Sequence, residues 1–437
     1  MRGIGAGVTA AYRAANMVVG FALSLLATRA ITSDSGSAGF AVYTLLVSLL
    51  ASLPFADLGL GASVVNATSD RESGRISARE YNEQVRSTLT ILVGVTGAII
   101  LIAALITSLD GWRFIFGEQE SSSTNLAALF LGVMLALSVP LGLGVRILQG
   151  LGKNQVATLL AFTGSIAQGL WIFACIGLGA EPAVFALSAG AGLLTTSVVT
   201  FIVASKLAAL EISSAFRIAS RPNFISEYKP TNSALPYMIV IMGVTATLQL
   251  QRILLALVSN DGQVASYGYV AQFTVAVTSV ITLASMNLWP RYRSLRAQFQ
   301  LPATTVASHI LTFTIVGAAL GTLSSAAALI LRSFITHDSI TVSMPTVIAA
   351  ATVVAAWAAT RPSTLFLNYP AGFWLQAASS VACAASSVAL TVTWGRVWGA
   401  AGAFAANAFS IAAFVAVPMS AATLMILVRE RRSTSGE

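Results

Sequence analysis

Charge is what this sequence has least of. Only 9% of its 437 residues are Asp, Glu, Lys or Arg, while 56% are hydrophobic. An ordinary soluble domain carries about 25% charged residues, so a soluble globule of this composition could not cover its own surface. The mean hydropathy of +0.81 agrees. It also excludes an intrinsically disordered chain, which needs low hydrophobicity. Cysteine and histidine are nearly missing, at two each. Cys175 and Cys383 each sit in an apolar run without CxxC spacing or a metal-ligating neighbour, and read as small packing residues. His309 and His337 belong to no HExxH and to no His/Cys/Asp cluster, so metal chemistry has no ligands here; neither receives a role. The charge balance is basic, at +8 with a pI near 9.9. Nucleic acid is still excluded as a partner, because the cations lie in short gaps between long apolar runs and form no single polar patch.

What is abundant is apolar length. A bilayer crossing needs about 20 mainly apolar residues. Twelve such runs are present, near 6–31, 39–66, 85–107, 125–147, 156–178, 182–205, 233–258, 264–289, 304–331, 341–362, 372–394 and 399–428. The first continues past 20 residues with Arg13 inside it, which fits an uncleaved crossing better than a cleavable signal. The tenth and eleventh have the least distinct ends, where Pro362 and Pro370 interrupt the pattern. Basic residues give an independent reading of orientation. With the N-terminus in the cytoplasm, the inside gaps collect 18 of the 24 basic residues. The outside gaps hold only Arg113, Arg332 and Arg396, and Arg13, Arg29 and Arg252 fall within spans. Losing or gaining a span midway scrambles this alternation. The sequence therefore predicts an all-α polytopic membrane protein with twelve transmembrane helices and both termini inside.

The gaps also divide the chain. The longest inside segment, 206–232, is mixed and polar and sits at the middle. The predicted organisation is an N-terminal six-helix bundle (1–205), a cytoplasmic linker (206–232), a C-terminal six-helix bundle (233–428) and a cytoplasmic tail (429–437). Because six is even, helix seven starts on the same side as helix one, and any repeat is parallel. GFAVYTLLVSLL in the second run is weakly similar to SYGYVAQFTVAV in the eighth, and RILQGLGKNQVA after the fourth to TLFLNYPAGFWL after the tenth. The longest outside gap, Ser108 to Thr124, has no room for a folded domain. Pro140, Pro290, Pro345 and Pro418, within or at the ends of spans, are candidates for kinks or hinges.

An ionisable side chain inside a membrane is a functional candidate by default. Arg252 is the sharpest, flanked by apolar residues in ATLQLQRILLALV. Thr245, Gln249 and Arg252 follow i, i+4, i+7 spacing and share one helix face. That stripe reads as the lining of a water-filled lumen, the alternative being an interhelical hydrogen-bond seam. Arg13, with Tyr12 and Asn16 beside it, makes a small polar site in the inner half of helix one. Arg13 and Arg29 are about 24 Å apart along the axis and cannot form one compact anion site; Arg29, in the last turn, can snorkel to the outer interface. Asp57 is the only acid within a span. It reads as an inner headgroup-level residue, with pairing to Arg13 or binding of a coupling cation or proton as the functional alternatives.

The segments carry a resemblance. TRAITSDSGSAGFAVYTLLVSLLASLPFADLGLGASVV resembles the first helical hairpin of polysaccharide flippases of the multidrug/oligosaccharidyl-lipid/polysaccharide exporter superfamily, through Arg29, Gly39, Tyr43 and the stretch Asp57 to Gly61. LQLQRILLALVSNDGQVASYGYVAQF resembles helices seven and eight of that family, and LWPRYRSL with Pro290 and RILQGLGKNQVA are similar to later and earlier stretches of it. One departure is Gln251, where family members often carry an acid, so ion coupling through that position is in doubt. Twelve spans fit the oligosaccharide branch better than the lipid II flippases, which usually have fourteen.

The resemblance implies a V-shaped pair of six-helix bundles around a central cavity. It implies a substrate of polyprenyl-diphosphate type bearing a short oligosaccharide, moved by alternating access from the cytoplasmic to the outer leaflet without covalent chemistry. Arginines would hold the diphosphate through charge-assisted hydrogen bonds. Expected site residues are Arg13, Arg252, Gln249, Thr245, Asn16 and Tyr12 for substrate, and Asp57 and Arg29 for coupling or gating. No cofactor is expected, and proton or sodium coupling stays open. Expected partners are the lipid-linked anionic glycan, membrane lipids, and a glycan polymerase and glycosyltransferases of the same pathway. The expected location is a bacterial-type plasma (inner) membrane. Two rival functions remain: a multidrug exporter of the same superfamily, which would place carboxylates in the cavity, and a membrane glycan polymerase or ligase, which would need a sizeable outside loop with catalytic side chains.

Overall fold

The structure is a computed structural model and describes residues 2–51, 60–117, 120–210, 234–286, 288–298 and 300–435. Among the described residues all regular structure is helical. The elements are α1 (Arg2–Ala51), α2 (Leu60–Glu72), α3 (Ala78–Ser108), α4 (Arg113–Phe116), α5 (Ser122–Leu141), α6 (Leu143–Gly150), α7 (Asn154–Leu178), α8 (Pro182–Leu207), α9 (Ala234–Val258), α10 (Asp261–Ser285), α11 (Leu288–Ala297), α12 (Ala303–Thr336), α13 (Met344–Phe366), α14 (Pro370–Ile411) and α15 (Val417–Ser435).

Ten described helical stretches are long and apolar enough to cross a membrane, which makes this a multi-pass membrane protein. Two of the ten contain a break. α1 is interrupted at Gly36 (φ 62°) and α14 at Gly399 (φ 56°). A positive φ is costly for a residue with a Cβ and cheap for glycine, so the chain turns at these points while hydrogen bonding continues on both sides. The breaks fall where runs one and two and runs eleven and twelve join, Gly36 in the first gap and Gly399 at the first residue of run twelve. That is why a count by continuous helix gives ten where the hydropathy pattern gives twelve.

The chain divides into two compact units, Met1–Ile31 with Val42–Pro230, and Thr32–Ala41 with Thr231–Glu437. Residues 32–41 group with the second unit, where the Thr32 hydroxyl donates to the Ile335 carbonyl at 3.2 Å. In the first unit, α3 starts on a capping box. The Ser77 hydroxyl accepts from the Glu80 N–H at 3.2 Å, and the Glu80 carboxylate accepts from the Ser77 N–H at 2.7 Å, which satisfies two of the donors a helix start leaves open. Tyr81, Val85, Leu89 and Leu92 of α3 are buried against Val139, Leu143, Ile147 and Phe201. α7 and α8 approach closely because both carry glycine at the contact: a Cβ on Gly164 would lie 2.5 Å from the Gly192 carbonyl oxygen.

In the second unit α12 lies along α13, α9 along α14, and α10 against α13 and α12. The Tyr269 hydroxyl on α10 donates to the Ala328 carbonyl on α12 at 2.9 Å. A core of Tyr292, Val306, Phe366, Leu367, Met419 and Leu427 closes one end of this unit. The prolines act in different ways. Pro140 ends α5, with Gly142 leading into α6. Pro345 and Pro370 lie in the first turn of their helices and bend nothing, since a missing N–H is harmless there. Pro362 is carried inside α13. Pro418 follows a π-helical turn, Ala412–Ala416, which accommodates the bond that proline cannot make to the preceding turn.

If both glycine breaks are turns between separate crossings, Ser35→Cys and Trp398→Cys will be labelled by an impermeant thiol reagent from the same face, and Ser73→Cys from the opposite face, in a full-length Cys175→Ala/Cys383→Ala background. Labelling of Ser35→Cys and Ser73→Cys from one face would contradict twelve crossings.

Candidate functional site

The first unit holds Tyr12, Arg13, Asn16 and Arg29 on α1. Tyr12 is exposed; Arg13, Asn16 and Arg29 are half-buried. Asn16 is tied to α7, because its side-chain oxygen accepts from the Ser165 hydroxyl at 2.8 Å. Two turns further on, Leu23 meets Gly169 of the same helix. One face of α1 is thus held by α7, and Asn16 has a structural task in addition to any it has toward substrate. Asp57 lies outside the described residues, and so does any pairing of it with Arg13.

The second unit holds Thr245, Gln249 and Arg252 on α9. The interhelical seam weighed for this helix exists, but it runs along another face. Gly243, Thr247 and Gln251 meet Ser380, Cys383, Ser387 and Thr391 of α14. A Cβ on Gly243 would lie 2.7 Å from the Ser380 Cβ. The Thr247 hydroxyl donates to the Gly243 carbonyl at 2.8 Å and reaches Cys383 Sγ at 3.7 Å. Gln251 is fully buried. Its amide nitrogen donates to the Ser387 hydroxyl at 2.6 Å and the Thr247 carbonyl at 3.0 Å, and its oxygen accepts from the Thr391 hydroxyl. At 100° per residue, 243, 247 and 251 lie roughly opposite 245, 249 and 252. The stripe that carries Arg252 therefore points away from the α9–α14 seam.

Thr245 on that stripe is buried, and Gln249 and Arg252 are half-buried. The Arg252 charge acts on the Tyr267 phenol of α10, which is also within hydrogen-bonding range of Asn407 on α14. The Tyr267 ring stacks on Phe404 at 4.2 Å. One residue missed by sequence reasoning belongs beside these. Arg361 was counted with an inside gap, because Pro362 marks the end of the tenth hydropathic run. The helix continues through that proline to Phe366, so Arg361 is a helical, half-buried residue of a membrane-spanning segment. Its Nε donates to Ser285 Oγ at 3.3 Å and its guanidinium lies 5.6 Å from the Trp357 ring centroid. No carboxylate among the described residues pairs with it. Of the two histidines, His309 is occupied by the Tyr292 hydroxyl, 2.7 Å from its Nδ1, and no group of three or more His, Cys, Asp or Glu among the described residues could hold a metal ion.

Residues 5–295, well over half of the 437, match the model of the family described as "Polysaccharide biosynthesis protein". The chain belongs to that family. Its fold is shared with solved transporters. The lipid II flippase MurJ in its inward closed conformation aligns with a TM-score of 0.66 at 12% identity, over 95% of this chain and 86% of that chain. An inward-facing multidrug resistance MATE family transporter of the MOP superfamily gives 0.63 at 12% identity, over 97% and 99%. The Vibrio cholerae MATE transporter VcmN in its bent form gives 0.51 at 14%, over 98% and 99%. No curated protein sequence matches the chain significantly. The resemblance to a polysaccharide family read from the first hairpin and from helices seven and eight agrees with this membership. This member of the polysaccharide biosynthesis family shares its fold with those solved transporters.

The α9–α14 seam generates a prediction. Gln251→Leu removes three hydrogen bonds between buried groups and will lower stability by about 1 kcal/mol, the usual scale for such bonds in membranes, seen as a lower thermal unfolding midpoint of the detergent-purified protein. An unchanged midpoint would show that the seam is not held by this side chain.

Proposed function

We propose that the chain is a flippase that carries a polyprenyl-diphosphate-linked oligosaccharide from the cytoplasmic to the outer leaflet of a bacterial-type plasma membrane. The single observation that carries this reading is the charge of the spans. Arg13, Arg29, Arg252 and Arg361 lie within hydropathic runs, against a single acid there, Asp57. Membership of a polysaccharide biosynthesis family supports a glycan as the cargo. A diphosphate is the part of such a lipid that a guanidinium recognises best, since paired N–H donors match its oxygens. The cost of about 2.5–3.5 kcal/mol for placing an arginine at a helix centre is then offset whenever an anion is bound.

In this reading Arg13 and Arg252 contact the head group, and Tyr12, Asn16, Thr245 and Gln249 supply hydrogen bonds to sugar or phosphate. Arg29 and Asp57 serve gating or coupling. Arg361 is a further cation for the same cargo. Transport proceeds by alternating access of two parallel six-helix bundles, with both termini cytoplasmic. No bond is made or broken, so the chain needs no catalytic residue. A potential negative inside favours outward movement of an anion by about 2.3 kcal/mol per charge per 100 mV, and proton or sodium coupling would add to it. The glycosyltransferases that build the lipid-linked unit and the polymerase that consumes it are the functional partners.

The test is transport in cells or vesicles that depend on this protein. Arg13→Ala and Arg252→Ala will each reduce delivery of the lipid-linked oligosaccharide to the outer leaflet about tenfold or more, the scale of a lost charge-assisted contact, with normal insertion into the membrane. The double variant will leave the substrate on the inner leaflet. Normal export by the double variant would remove the arginine reading. Extrusion of organic cations with no effect on the glycan would favour a multidrug exporter instead.

A further inference from the structure

Beyond the transport residues, the second unit contains a pocket where α11, the C-terminal end of α13 and the start of α14 meet. Its volume is about 400 Å3 and its lining includes Trp289, Arg293, Arg296, Asn368 and Phe373. That volume lies within the range of small-molecule sites, roughly 300–1,000 Å3. The walls are rigid. On α11, Leu288, Tyr292 and Leu295 follow i, i+4, i+7 spacing and turn into the core with Phe366 and Leu367. Burial pushes the Tyr292 phenol pKa up, so it stays neutral in its hydrogen bond with His309.

The two arginines of the pocket differ. Arg296 is already used. Its Nε donates to the Glu430 carboxylate at 3.1 Å, and its guanidinium lies 4.7 Å from the Phe366 ring centroid and 4.8 Å from that of Tyr369. Burial opposes its charge, but Glu430 outweighs that and holds the guanidinium pKa above its ordinary value. Arg293 is exposed and has no acidic partner among the described residues. Asn368 accepts from Gln376 through its oxygen at 3.3 Å, which leaves its amide nitrogen to donate. The pocket thus offers one uncommitted positive charge, one amide donor and aromatic walls, and no acid among the described residues lines it. Such a set suits a phosphate and repels a cation.

The surroundings say where the phosphate comes from. α11 is a short amphipathic helix. Its core face is apolar, Arg291 and Arg293 are exposed, and Trp289 stays 45% exposed between Arg293 and the apolar side. Helices of that pattern lie in the plane of the membrane interface, with tryptophan at head-group depth. Its arginines belong to the basic set of gaps that faces the anionic leaflet in the orientation read from charge. Basic pockets between membrane helices on that side bind lipid head groups.

We propose that this pocket holds the phosphate head group of a membrane lipid, with Arg293 as its charge, Asn368 as its hydrogen-bond donor, and Trp289 and Phe373 as walls against the glycerol or acyl portion. The site does not depend on the transport reading, because a protein that moved nothing could still retain a lipid here. Two sources of the same chemistry exist: an anionic phospholipid of the bulk bilayer, and a polyprenyl-diphosphate lipid captured ahead of transport.

The experiment uses the full-length protein in nanodiscs of phosphatidylcholine containing either phosphatidylglycerol or polyprenyl diphosphate. The lipid that stays bound after extraction into detergent is counted by mass spectrometry. Wild type will retain the anionic lipid over phosphatidylcholine. Arg293→Gln will retain about tenfold less, the scale of one charge-assisted contact, with an unchanged unfolding midpoint. Arg113→Gln, exposed on a different gap, will retain as much as wild type. Preference for phosphatidylglycerol makes the site one for bulk lipid, and preference for polyprenyl diphosphate makes it a capture site; both support a phosphate pocket. Equal retention of both anionic lipids by wild type and Arg293→Gln, or an equal loss in Arg113→Gln, would overturn it.

Discussion

Between the faces of a bilayer no water is present to satisfy a polar group, so the protein must satisfy each one itself. The interior of this chain is written in that rule. Threonine hydroxyls return to the carbonyl four residues back, as Thr28 does to Ser24 and Thr68 to Val64. Thr96 goes further, reaching both Leu92 on its own helix and Ala136 on α5 at 2.8 Å. The α9–α14 seam is the densest case. Gln251 has more donors and acceptors than one helix can use, and Ser387 and Thr391 on the facing helix take up the surplus. Small residues are what permit this. Gly243 lets α9 come close enough for hydroxyls and amides to meet.

The same rule gives the arginines their meaning. Several exposed or interfacial cations have an acid beside them: Arg75 with Asp70, Arg79 with Glu83, Arg332 with Asp338, Arg296 with Glu430. Asp338 illustrates the exposed loops, where the Ser333 hydroxyl, with Arg332, holds the carboxyl below its ordinary range. Arg361, on a membrane helix, instead meets a serine hydroxyl and a tryptophan ring. Hydroxyls and rings position a guanidinium without cancelling its charge. Positive charge kept in that form is suited to an anion that arrives and leaves.

Much of the architecture was legible in the sequence, because a membrane forces apolar length and charge asymmetry into the chain. The helical class follows from the runs alone, and the turns at Gly36 and Gly399 fall at run boundaries that hydropathy marks. The family was legible from the hairpin around Gly39 and Tyr43 and from the α9–α10 stretch. Four things were not legible. Which face of α9 is the seam depends on α14, and the seam partners Ser387 and Thr391 look like any small polar residues in an apolar run. The helical setting of Arg361 was hidden by Pro362, which ends many helices but is carried inside α13. The α11 helix was read as a charged gap, since ten residues rich in arginine show no membrane-crossing signal; its apolar face appears only once Tyr292 and Leu295 are seen against Phe366. Asn16 was read as a substrate ligand, and its bond to Ser165, on a helix 149 positions away, had no local signature.

The central claim is that the chain moves an anion, recognised through its diphosphate. The most direct measurement is leaflet-to-leaflet translocation in proteoliposomes of two fluorescent lipids that differ only there: a polyprenyl-diphosphate oligosaccharide, and the same oligosaccharide joined to the polyprenol without phosphate. The account predicts protein-dependent translocation of the diphosphate lipid and background rates for the uncharged one. Equal translocation of both lipids would contradict it.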